Sequence, residues 1–147
     1  MQAVATWRKG YEILLEDGRA HSVVVDLSAE EGGTSAGTTP VELSVLSLAG
    51  SIVSTFVALA RKRHMDFSGL RLVLESDSPT PPAAIGGVHG TLRLRTRADR
   101  TEVEAALRDA LELCTVGKVF QDAGIPVNVM AVVAPTGRSP TPETPNR

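Results

Sequence analysis

The sequence predicts an α+β domain with the element order βββ-α-ββ-α-β. Three observations carry this. Short β-branched or alternating segments lie at the start, middle and end of the chain. Two longer segments between them have helical patterning. With 147 residues, 42% of them hydrophobic and 22% charged, the chain has the size and composition of one globular unit. A domain of that length buries roughly 68–70% of its unfolded surface.

The first three strands read as a meander. Ala3 to Trp7 and Tyr11 to Leu15 are extended segments separated by Lys9-Gly10. Asp17-Gly18 is a strong turn dipeptide, and Ala20 to Leu27 follows, centred on Val23-Val24-Val25. A loop from Ala29 to Thr38 then carries Gly32, Gly33 and Gly37. It has the look of a phosphate loop, but Thr38-Thr39-Pro40 follows Gly37 where such a loop needs Gly-Lys-Ser/Thr.

The long helix starts at Thr39. Thr39-Pro40-Val41-Glu42 is a capping box with proline at the first helical position. The helix is expected to run to about Arg63, a rise of roughly 36 Å. It is apolar nearly all round, which predicts a long buried central helix. Ser47, Gly50, Ser51, Ser54 and Ala58 form a small-residue stripe that lets another backbone approach. A second subunit would help to cover it. Leu43 to Ala60 is also an uncharged run of 18 residues, at the lower limit for a membrane span. The serines inside it and the soluble patterning around it favour a core helix and no membrane partner.

Leu70 to Ser76 and Gly90 to Thr96 alternate as half-buried antiparallel strands, so the sheet is expected to be antiparallel-rich. The stripe Arg93, Arg95, Arg97 reads as a solvated sheet face, with Glu75 able to pair across it. Ser78 to Gly87 between them is a Pro- and Gly-rich loop. A second helix starts near Asp99 or Thr101 and ends at Ala123-Gly124. Its buried face is Val103, Ala106, Leu107, Ala110, Leu111 and Cys114, and Gly117 weakens it. A last strand begins at Pro126. The domain is placed at residues 1–134 and a Pro-rich tail at 135–147.

Charge excludes some partners. Fifteen Lys and Arg against seventeen Asp and Glu leave a net charge of -2, so nothing points to nucleic acid or an anionic membrane as the main partner. Aromatic residues are only 3%, too few for a base-stacking platform. The N-terminus lacks a basic lead and an apolar run, which points to the cytoplasm. His21, His64 and His89 have no partner at metal-ligand spacing, and neither a metal nor a cofactor is expected. The serine-rich helix lacks Gly-x-Ser-x-Gly, so it carries no nucleophile elbow. Cys114 is the only cysteine, which excludes a disulfide framework and any two-cysteine redox cycle within one chain.

Taken together, three stretches resemble the OsmC/Ohr family of osmotically inducible and organic hydroperoxide resistance proteins. They are the run from Gly33 to Leu43 (GTSAGTTPVEL), the small-residue helix ending Ala60-Arg61-Lys62-Arg63, and Ala110 to Val116 (ALELCTV). The resemblance covers roughly residues 1–134. It implies an intertwined homodimer with its long helices buried centrally and two sites at the subunit interface. Active members of the family reduce organic hydroperoxides. A cysteine on the long helix attacks the peroxide and becomes a sulfenic acid, a second cysteine condenses with it, and an external dithiol restores the pair. By this resemblance Cys114 occupies the resolving position and Glu42 the position of a site glutamate. Arg8 matches the N-terminal arginine, with Arg19 as its competitor.

One departure stands out. Leu48-Ala49-Gly50-Ser51 puts a serine where the family carries its attacking cysteine. A hydroxyl is far less acidic than a thiol and has no sulfenic acid chemistry. Thr115 also replaces the proline often found after the resolving cysteine. The two-cysteine cycle is therefore not expected. The expected role is a non-peroxidase member whose interfacial pocket binds a small apolar or oxidised ligand. The alternative is an organic hydroperoxide reductase working through Cys114 alone with an external thiol. A plain structural or regulatory dimer is the third reading.

Overall fold

The computed structural model describes residues 1–77 and 85–135. Most of the loop expected at 78–87, and the expected tail from residue 136 onward, lie outside the described residues. The chain divides into two compact units, one built on residues 1–48 and one on 49–77 and 86–135.

The first unit is the expected meander. Strands β1 (Val4–Lys9), β2 (Glu12–Glu16) and β3 (Ser22–Val25) form an antiparallel sheet in the order β1-β2-β3. Tight turns at Gly10 and Gly18, both at positive φ, connect them. The Gly-rich segment then folds onto β3 and carries one 3-10 turn at Ala29–Glu31, capped reciprocally by Ser28 and Glu31. A Cβ on Gly33 would stand 2.0 Å from the Leu27 carbonyl oxygen, and one on Gly37 would stand 2.2 Å from that of Val24. These glycines serve close backbone approach rather than phosphate binding.

Helix α1 (Pro40–Lys62) starts in this unit and continues into the second. Its capping box forms as the sequence predicts. Thr39 Oγ1 accepts from the Glu42 N–H at 3.2 Å, and Glu42 Oε2 accepts from the Thr39 N–H at 2.8 Å. By length and composition α1 is apolar enough to cross a membrane. The expectation of a helix buried all round needs correction at the level of one chain. Leu48, Ile52, Phe56 and Ala60, spaced four residues apart, are its buried residues. Leu46 is 58% exposed, and Ser47, Gly50, Ser54 and Ala58 are exposed too. A single chain has only enough other elements to cover one row of this helix.

The second unit holds β4 (Phe67–Asp77), β5 (Gly87–Thr96) and β6 (Val127–Pro135) in the order β4-β5-β6. The β4–β5 pair is antiparallel and the β5–β6 pair parallel. β6 includes Pro135, one residue beyond the expected domain limit. Leu92 and Leu94 are buried on the inner face, and Phe56 of α1 meets Phe67 of β4 edge to face with ring centroids 6.0 Å apart.

The second helix is in fact two: α2 (Arg100–Leu113) and α3 (Thr115–Asp122). Asp99 and Glu102 cap α2 reciprocally, and Val103, Ala106, Leu107 and Ala110 form its buried face. The break falls at Cys114, whose extended backbone (φ -67, ψ 109) ends one helix while its side chain caps the next. Gly117 has a role other than weakening a helix. A Cβ there would lie 3.2 Å from Cys114 Cβ and 3.3 Å from its sulfur, so glycine leaves room for the thiol.

Candidate functional site

The four expected site residues fall into two groups. Ser51 and Cys114 lie in the second unit and meet. Ser51 sits midway along α1, half-buried, one turn after the buried Leu48. Cys114 sits at the α2–α3 break and is 1% exposed. The Cys114 thiol donates to Ser51 Oγ at 3.1 Å. Its sulfur accepts the Gly117 N–H at 3.3 Å. Thr55 Oγ1 donates to the Ser51 carbonyl at 2.9 Å, one helical turn on. Cys114 is the one free thiol and is fully packed.

Glu42 and Arg8 lie in the first unit, and no ion pair joins them. Glu42 Oε2 accepts from the Thr39 N–H at 2.8 Å and from Thr38 Oγ1 at 3.1 Å. The Thr39 backbone bond leads the causes that hold its carboxyl below the usual carboxylate range. Glu42 is thus a helix cap in this chain. Arg8 Nη1 pairs with Glu12 at 3.5 Å on the exposed β1–β2 ladder. Arg19 pairs with Asp17, Nη2 to Oδ2, at 2.9 Å.

A residue that sequence reasoning missed organises the segment before α1. Asp26 is only 1% exposed. Its carboxylate accepts from Thr34 Oγ1 at 2.6 Å and from the N–H groups of Thr34, Ala36 and Leu27 at 2.9, 3.1 and 2.8 Å. These bonds, the Thr34 hydroxyl first, lower its pKa to about 2. The available signal was an aspartate at the end of a β-branched strand, followed by a Gly/Ser/Thr loop with N–H groups to satisfy.

A cavity of about 500 Å³ lies between α2 and β6, lined by Leu107, Arg108, Leu111, Val129, Met130 and Val132 among others. Neither Ser51 nor Cys114 lines it. Among the described residues no group of three or more His, Cys, Asp and Glu could hold a metal ion.

What defines the molecule is therefore an α+β chain in which a hydroxyl on a long helix faces a buried thiol at a helix junction. Comparison with known proteins gives the class. The family described as OsmC-like protein matches residues 32–130, about two thirds of the chain. The chain belongs to that family. Its fold is similar to an OsmC-like protein from Mycoplasma pneumoniae, with a TM-score of 0.78, 12% identity, and coverage of 90% of this chain and 95% of that one. It is also similar to the organic hydroperoxide resistance protein OsmC from Legionella pneumophila, with a TM-score of 0.64, 18% identity, and coverage of 91% and 97%. The organic hydroperoxide resistance protein OhrB of Bacillus subtilis gives a TM-score of 0.58 at 18% identity, with coverage of 91% and 98%. At these identities the likeness is one of fold. No curated protein matches the chain in sequence.

Proposed function

We propose that this OsmC-like protein is a cytoplasmic homodimer that binds a small apolar or oxidised molecule at an interfacial pocket and does not run a two-cysteine peroxidase cycle. The observation that carries the reading is the 3.1 Å contact between Ser51 Oγ and Cys114 Sγ. A two-thiol cycle needs sulfur on both sides of that contact. Attack on a hydroperoxide moves its distal oxygen to one sulfur and releases the alcohol, and the second thiol then expels water to form a disulfide. With oxygen at residue 51 the attacking sulfur is missing from α1, and no disulfide can close between residues 51 and 114. A serine needs a strong adjacent base to attack at all, and the side chain in contact with Ser51 Oγ is the Cys114 thiol, not a carboxylate or an imidazole.

The exposed stripe of Ser47, Gly50, Ser54 and Ala58 on α1 supports the homodimer, since small residues permit close helix contact and leave Leu46 to be covered with them. The alternative, reduction of hydroperoxide by Cys114 alone with an external thiol reductant, requires access to the sulfur. The near-complete burial of Cys114 argues against it.

The deciding experiment is consumption of an organic hydroperoxide with dihydrolipoamide by the natural protein and by Ser51→Cys. Activity in the variant alone supports a binding role on a peroxidase-type framework. Turnover by the natural protein that vanishes in Cys114→Ser establishes the alternative instead. Thermal stabilisation of the natural dimer by a hydroperoxide or fatty acid is expected, and its failure with all such compounds counts against the binding role.

A further inference from the structure

We infer that the solvent face of the β4–β5–β6 sheet is a docking surface for an acidic protein segment in extended conformation, independent of what the Ser51–Cys114 site binds. Strand alternation turns Leu72, Leu74, Leu92 and Leu94 inward and Arg71, Arg93 and Arg95 outward. The register sets Arg71 directly opposite Arg93. Like charges directly opposite each other destabilise a sheet. Glu75, expected to neutralise the stripe, instead lies opposite His89, with His89 Nε2 3.3 Å from its Oε2. That register slot is too far along the strand to serve the arginines. None of Arg71, Arg93 and Arg95 makes an ion pair among the described residues, although the chain as a whole is net acidic. The Arg95 guanidinium lies across Gly69 of β4 and so stays over the face.

The chemistry of the face selects the occupant. Its uncompensated cations are all arginine, the side chain that clamps carboxylates in a bidentate fork. Val73, Met130 and Val132 are 40%, 71% and 42% exposed beside them, and arginine with methionine is an interface composition. The one phenyl ring on these strands, Phe67, is turned to Phe56, and the His89 imidazole is paired with Glu75, so the face offers no base-stacking platform. The exposed carboxylates of Glu75 and Asp77 lie by His89 at the other end of the same face, so the acidic segment is expected at the Arg71, Arg93 and Arg95 end. Arg93 and Arg95 are two residues apart, roughly 6.6–6.8 Å along the strand, and alternate carboxylates of an extended segment repeat at that distance. Three strands of 11, 10 and 9 residues give a face of roughly 15 by 30 Å, the scale of a weak, transient partner.

The test uses the full chain and a fluorescent acidic peptide of four Glu-Val repeats, read by anisotropy at low and high salt. Binding is expected at low salt, weakened about tenfold or more by the double variant Arg93→Glu/Arg95→Glu and unchanged in Lys118→Glu. The double variant relieves the Arg71–Arg93 opposition, so it should fold, which its Tm checks. Absence of peptide binding at low salt overturns the proposal, as does binding that survives charge reversal. Binding of phosphatidylglycerol vesicles without binding of the peptide overturns it in favour of a lipid surface.

Discussion

Ser51 Oγ and Cys114 Sγ stand 3.1 Å apart although 63 residues separate them in the chain. This contact fixes the middle of α1 against the junction of α2 and α3. It also sets a simple chemical contrast. A disulfide has an S–S length of 2.03–2.05 Å, so a sulfur in place of the serine oxygen would have to close only about 1 Å. Ser51→Cys should therefore form an intrachain disulfide with Cys114 on mild oxidation. Mass spectrometry would register the loss of two hydrogens and of both free thiols. A variant that keeps both thiols after oxidation would mean that the two side chains do not face each other in solution.

The sulfur of Cys114 does structural work as well. It caps α3 by accepting the Gly117 N–H, and the same role suits a serine hydroxyl. Cys114→Ala removes that cap and leaves Ser51 Oγ without its donor. Loss of a cap costs about 1 kcal/mol. Cys114→Ser keeps both contacts and should unfold at a higher denaturant midpoint than Cys114→Ala. Equal midpoints would show that the capping bond contributes nothing.

Local chemistry was legible in the sequence and long-range chemistry was not. Thr39 with Glu42 announces the start of α1, and Asp99 with Glu102 that of α2, because each capping box closes within four residues. The Arg71–Arg93 opposition depends on a strand register that no short window encodes. The break at Cys114 escaped the periodicity because the apolar spacing continues through it, while a thiol acting as a cap is rare. Asp26 escaped because its partners, Thr34 and Ala36, lie eight and ten residues further on in a segment without periodicity. That Ser51 faces Cys114 was foreseen only through the family resemblance. Nothing in their local sequences pairs them.

The anchor of α1 in the second unit is Phe56. It is fully buried and meets Phe67 at 6.0 Å and 67°. Phe56→Ala removes a large side chain from a packed site and should cost about 3–5 kcal/mol. Phe56→Leu keeps most of the volume and should cost less than about 1.5 kcal/mol beyond the lost edge-to-face contact. Chemical denaturation of the two variants separates these outcomes. Similar losses for both would mean that ring geometry, not volume, holds the helix.

Asp26 makes stability depend on pH in a defined direction. Its folded pKa of about 2 lies below the ordinary carboxylate value of 3.8, because hydrogen bonds led by the Thr34 hydroxyl favour the charged form. The folded state therefore binds this proton less readily than the unfolded chain. The stabilisation is complete above the unfolded pKa and is lost as pH falls from about 3.8 through about 2. Asp26→Asn removes the titration and places an N–H₂ group where an acceptor was, so at neutral pH it should lower the Tm. The difference in Tm between natural protein and variant should then shrink as the pH is taken from 5 toward 2. The carboxylate accepts from the backbone of Thr34 and Ala36, which lie in the segment that leads into Thr39 and α1. Amide exchange at Thr34 and Ala36 should accelerate in the variant before global unfolding does. A pH-independent difference in Tm would assign the cost to lost packing, and Asp26 would not be the acid-sensitive tie of this segment.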